Sequence, residues 1–232
     1  MNNMEDALKG KGQLRIEKSK LVFPHLGAML TYIAPLINPE KYDYSITEEI
    51  DSYRPTAAQV ISLLDLALQN PGDPHCRDIL KNSRRGNYLI TSTENLSFLK
   101  GVFVYDNPDG KMPHTSEELI RLLEGGDRRV KFVNPDFKTG TMSIHQFLCN
   151  PITIAQIGQE MLGAAERVAG ALYEGKNYYA SASYIFCPDR NALDKRSFTT
   201  INTGINVNRL NFEVKEHSYA NQTGYIARIE KK

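Results

Sequence analysis

This chain lacks almost every feature that would name a chemistry at sight. Its 232 residues carry 28 basic and 27 acidic side chains, so charge is balanced. That removes any global electrostatic pull toward nucleic acid or an anionic membrane. Cysteine is scarce: Cys76, Cys149 and Cys187 are odd in number and widely spaced, which excludes a disulfide framework. No Cys-x-x-Cys pair is present for a structural zinc ribbon. Walker A, Gly-x-Gly-x-x-Gly, His-Glu-x-x-His, Gly-x-Ser-x-Gly and EF-hand patterns are all missing. Long apolar runs are missing too. Residues 21–37 carry no formal charge with His25 neutral, but Pro24 and Pro35 interrupt them and a membrane span needs about 20 apolar residues. The opening MNNMEDALKGKG has no apolar core of a secretory signal. The expectation is a reducing, cytoplasmic setting without an integral membrane segment.

The strongest positive signal is residues 150–175. Asn150 suits an N-cap and Pro151 the first helical position. Ile154, Ile157, Met161, Ala164, Val168 and Leu172 recur as one apolar stripe, and Gly175 suits a C-terminal cap. The pattern predicts one long core helix over 151–174. Gly158, Gly163 and Gly170 inside it point to close packing on a sheet or another helix, since each glycine costs about 1 kcal/mol against alanine.

Further elements follow from punctuation and period. Residues 1–13 form a flexible polar tail, 14–22 an early strand, and 27–34 a buried helix between prolines. A polar, Tyr-rich connection spans 38–54, with a short strand at 44–46. Pro55 opens a helix with Ala57, Val60, Ile61, Leu64, Ala67 and Leu68 inside; Asn70, Pro71 and Gly72 stop it. A short helix or turn is expected near 79–82 and a strand at 87–91. Residues 93–100 fit a helical turn or a half-buried strand equally well. Gly101–Asp106 and Val130–Val133 are apolar, β-rich runs. Between them, Thr115 with Glu118 makes a capping-box pattern and Gly125-Gly126 a stop. Strand, helix and strand together have the size of a βαβ unit with parallel strands. After residue 175 the chain reads as an antiparallel meander. The fold expectation is therefore mixed α+β: N-terminal helices, a small βαβ unit, a long core helix and C-terminal antiparallel strands. It is one domain over 14–232, with a sub-boundary near 175 as the alternative.

Candidate chemistry attaches to that βαβ unit, because ligands in open α/β sheets gather beyond the carboxyl ends of the strands. Asp106 ends the first strand, and Asn134 and Asp136 follow the second. Asp109 and His114 precede the helix N-terminus at Thr115, where a phosphate would sit. Asp106, Asp109 and Asp136 would hold Mg²⁺, with Asp106, His114 and Asp136 as acid and base. A second set, His75, Cys76, His145, Cys149 and Cys187, offers transition-metal ligands or a Cys–His nucleophile. His145 and Cys149 share a helical face if 143–149 is helical. Arg84-Arg85 and Arg128-Arg129 are basic pairs, and Arg190, Lys195 and Arg196 a cluster, with Tyr178, Tyr179 and Tyr184 as stacking surfaces for nucleic acid.

Two function classes compete. The first is a non-enzymatic binding or assembly protein without a cofactor, which self-associates or holds a protein partner, with nucleic acid as a further partner class. The second is a Mg²⁺-dependent hydrolase or transferase acting on a phosphorylated small molecule.

Overall fold

The computed structural model describes residues 20–34, 36, 52–84, 88–98, 100–113, 115–172, 181–186, 196–203, 210–216 and 224–231. Among the described residues strands, not helices, come first. β1 (Lys20–His25) and β2 (Ala28–Ile33) form a hairpin with His25 opposite Ala28. Residues 27–34 are thus a turn and strand rather than a buried helix. The two-residue turn explains why: Leu26 and Gly27 both sit at positive φ, 46° and 80°, as a type I′ turn requires. The period is two, with Phe23 and Tyr32 fully buried. Pro24 fits because β1 is an edge strand and the absent N–H would point outward.

Two sheets result. The smaller has the order β1-β2-β12-β3, with β3 at Ser52–Tyr53 and β12 at Ile229–Glu230. The larger runs β6-β5-β4-β9-β10-β8-β7. Its strands are β4 (Tyr88–Phe98), β5 (Gly101–Asp106), β6 (Val130–Val133), β7 (Gly140–Ser143), β8 (Ser181–Phe186), β9 (Arg196–Asn202) and β10 (Leu210–Glu216). β11 (Gly224–Ile226) pairs with β4, and the chain then passes into β12, joining the sheets. One core cluster contains Phe23 and Tyr32 from one sheet and Leu89, Ile201 and Phe212 from the other.

The helices are short. α1 (Ala57–Gln69) starts on a capping box of Thr56 and Gln59 and buries the expected Ala57, Val60, Ile61, Leu64 and Ala67. α2 (Pro74–Arg84) follows, and α3 (Ser116–Glu124) starts at Thr115. α4 (Ile144–Leu148), α5 (Pro151–Ile157) and α6 (Leu162–Ala171) replace the single long helix. The break is Gly158, at φ 79° and ψ 157°, a combination only glycine adopts readily. Gly163 and Gly170 are exposed; α6 packs instead through Ala164, Ala165 and Val168. Asn150 supplies no cap bond; its amide donates to the Lys138 carbonyl at 2.8 Å.

Residues 93–98 belong to β4, which is buried along nearly its whole length. The decisive correction concerns the βαβ unit. β5 and β6 pair antiparallel, Val102 opposite Val133 and Tyr105 opposite Val130. The connection holding α3 returns the chain without a crossover, and Asp106 N–H bonds the Arg129 carbonyl at 3.1 Å. The C-terminal strands are mixed: β9 and β10 are antiparallel, whereas β8 with β10 and β11 with β4 are parallel.

β4 carries an unusual polar load. Thr91, Ser92, Thr93, Glu94, Asn95 and Ser97 are all buried. Four of the six are partnered across strands: Thr93 Oγ1 donates to Asp106, Thr91 Oγ1 to the Thr199 carbonyl and Asn95 Nδ2 to Thr199 Oγ1. Glu94 accepts from Arg196, from the Tyr105 hydroxyl at 3.0 Å and from Asn107 at 2.9 Å. The Ser92 and Ser97 hydroxyls, by contrast, are buried without a hydrogen-bond partner, an exception to the usual pairing of buried polar groups.

Candidate functional site: a cleft between an open sheet edge and a short helix

Reversing β6 takes the carboxylates apart. Asp106 lies beside the start of β6 and Asp136 beyond its end, with the four-residue strand between them. Asp106 accepts from Thr93 Oγ1 at 2.6 Å, and burial raises its pKa. Asp109 is exposed and accepts from the Lys111 N–H at 3.3 Å within its own turn. His114 lies outside the described residues. Among those residues no group of three or more His, Cys, Asp or Glu is placed to hold a metal ion, so the donor set expected for Mg²⁺ does not assemble from Asp106, Asp109 and Asp136.

The other sequence candidates also separate. Cys76 is buried on α2, its thiol pushed up to about 11 by burial and by Asp73. His145 and Cys149 do meet, with Nε2 to Sγ at 3.9 Å at the end of α4. Cys187, Tyr178, Tyr179, Arg190 and Lys195 lie outside the described residues, as do Arg85 and the Arg84 side chain. Arg196 is committed to Glu94, and Arg129 to Asp127 at 2.7 Å. Arg128 points elsewhere and lines a cleft.

That cleft has a volume of about 1230 Å³ and is open to solvent. Its floor and walls come from β6, the loop after it, α5, the Gly158 turn and the hairpin tip Leu26. Asp127 turns the chain into β6: its carboxylate accepts from the Arg129 N–H and its carbonyl from the Val130 N–H. Phe132 then anchors the strand by one face, packing on Phe103 and Phe98 with ring centroids 5.0 and 6.5 Å away. Two cross-links hold α5 alongside. Lys131 Nζ donates to the Ala155 carbonyl at 2.8 Å, satisfying an acceptor in the last helical turn, and Asn150 ties the helix start to Lys138. α5 therefore runs against β6 in direction, with Ile154 and Ala155 facing the strand across the cleft.

The lining mixes apolar Leu26, Phe132, Ile154 and Phe137 with Arg128, Lys131, Asp136 and Glu160. Arg128 and Asp136 make no ion pair with another described residue. Among the described residues β6 ends its sheet, so the side of the strand away from β5 is an open backbone edge. Sequence reasoning missed Lys131, Phe132, Ile154 and Leu26. Gly27 between two apolar runs was the available signal, and a weak one, because leucine is not a turn former.

A second recess of about 370 Å³ adjoins the first, sharing Leu26 and Glu160. There His25 Nδ1 and Ser62 Oγ lie 2.8 Å apart, and the same hydroxyl is 3.8 Å from Met161 Sδ. An ion pair of Asp65 and Arg167 flanks the recess. Burial lowers the His25 pKa from 6.5, so the neutral ring is the native form. The unfolded chain binds that proton more tightly. Stability should therefore rise with pH from the lowered native value up to about 6.5, and be lost as pH falls through that window. Urea unfolding between about pH 5 and 7.5 is expected to show a shallower slope for His25→Gln than for the native chain. Equal slopes would contradict the assignment.

No family model, no curated protein and no solved structure matches this chain.

Proposed function

We propose that this chain is a non-enzymatic binding or assembly protein that seats a polypeptide partner, or a second copy of itself, in the cleft between β6 and α5. The observation that carries this reading is Leu26. It is a leucine at φ 46°, 58% exposed, on the shared rim of both recesses. A left-handed non-glycine residue costs about 1–2 kcal/mol, and an exposed leucine recovers none of that by burial in the free chain. Strain kept at an exposed apolar tip fits a surface that is covered when the protein works. Val22 and Met29, 53% and 49% exposed, stand on the same hairpin. Among the described residues four large apolar side chains stay exposed; three belong to this hairpin, and the fourth is Leu123.

The test is selection of seven-residue peptides from a displayed random library against the full chain, with size-exclusion light scattering on the same material. The expected result is enriched binders whose retention falls at least tenfold on the double variant Leu26→Asp, Ile154→Asp, provided circular dichroism shows that variant folded. Self-association is expected to appear as a mass above 26.2 kDa that the same variant abolishes. A strictly monomeric chain that enriches no peptide would overturn the reading.

A further inference from the structure

From the backbone of β6 we infer that the occupant of the cleft is an extended peptide that adds to β6 as a new strand. This rests on the binding function proposed above and names its partner's chemistry. The ladder fixes which groups are free. Asp106 N–H bonds the Arg129 carbonyl directly opposite, so the hydrogen-bonded pairs recur every second residue. Lys131 pairs with Val104 and Val133 with Val102. The N–H and C=O of Phe132, a residue that lines the cleft, therefore point away from β5, as does the Val130 carbonyl, while the Val130 N–H is already spent on Asp127.

Open edges are usually blunted. β1 is blunted by Pro24, which has no N–H to offer, and β3 is two residues long. β7 does not border this cavity. Among the described strands, β6 alone combines a free ladder with a facing apolar wall, Ile154 and Ala155 of α5. That arrangement suits strand addition, in which backbone bonds supply affinity and alternate side chains supply specificity. Charge sets the ends. Arg128 precedes β6 and Asp136 follows it, and neither is paired within the described chain. The complementary peptide carries an acidic residue at the Arg128 end, a basic residue at the Asp136 end and apolar residues between, every second one turned toward Ile154.

The probe is the seven-residue peptide most often recovered from the library, fluorescein-labelled and read by anisotropy on the full chain. A series of it N-methylated at one backbone position at a time removes single donors. The expected result is a period of two: at least tenfold weaker binding at alternate positions and little change between them. Arg128→Glu should weaken binding about fivefold or more, and the loss should vanish for a peptide whose acidic residue is replaced by lysine. A peptide that binds but is indifferent to N-methylation, or sensitive with a period of three to four, would overturn strand addition while leaving the binding function intact. Failure to recover any peptide counts against the binding function itself.

Discussion

Arg196→Met is expected to lower the unfolding free energy by about 3–5 kcal/mol. Glu94 is 2% exposed, and its carboxylate is paired with the Arg196 guanidinium. Burial alone would raise the Glu94 pKa, but Arg196, Asn107 and Tyr105 together hold it below 4.5. Removing the guanidinium takes away the countercharge of a desolvated carboxylate, which is the costly half of breaking a buried pair. Adding Glu94→Gln to Arg196→Met should restore part of the loss, because no charge then remains to be stranded. Acid acts in the same direction in the native chain. The native carboxyl titrates below its unfolded value of 4.5, so its contribution is complete above that pH and disappears as pH falls through the native value. Urea unfolding of the two variants near neutral pH checks this. A loss below about 1 kcal/mol for Arg196→Met would mean the pair behaves as a solvated surface contact.

Gly101→Ala is expected to cost about 2–3 kcal/mol and to abolish peptide binding. A Cβ at residue 101 would overlap the Val133 carbonyl oxygen and lie 2.7 Å from Phe132 Cζ. The phenyl ring can rotate, but the carbonyl belongs to β6 itself. The alanine variant therefore forces β6 off β5 at the end that borders the cleft. Gly72→Ala is the control: a Cβ there meets nothing within 4 Å, so stability should stay within about 0.5 kcal/mol. If Gly101→Ala destabilised the chain but bound peptide normally, the cleft edge of β6 would not be the docking surface.

Local signals in the sequence were read correctly where local chemistry decides the structure. α1 has a capping residue, an apolar stripe and a stop, and each acts within a few residues. The strand at Gly101–Asp106 and the helix starting after Thr115 were legible for the same reason. Direction was not legible. A strand, a helix and a strand of βαβ length fit a parallel crossover, but a connection of that length can also fold back. Here it does, with Asp106 zipped to Arg129. The metal and acid–base readings of Asp106, Asp109 and Asp136 depended on that direction and lost their premise with it.

Two further misreadings share one cause. An uncharged apolar stretch between prolines fits a buried helix on composition, but the Leu26-Gly27 turn makes it a hairpin. Leucine at positive φ is not a turn signal, unlike asparagine or aspartate. In the 151–174 stretch, Gly158 counted as one more helix glycine, yet it takes a non-helical conformation and turns the chain between α5 and α6. That break lets α5 end alongside Lys131 and form a cleft wall. The site residues were hard to find because the site is made of backbone. An open strand edge has no residue signature, since it depends on which strand happens to lie last in the sheet.

Amide hydrogen exchange along β6, read residue by residue in the free chain and with the selected peptide bound, tests the docking edge most directly. Lys131 and Val133 should exchange slowly in both states, and Phe132 should exchange fast when free and become protected on binding. A Phe132 amide already protected in the free chain, or one still fast with peptide bound, would contradict strand addition at β6.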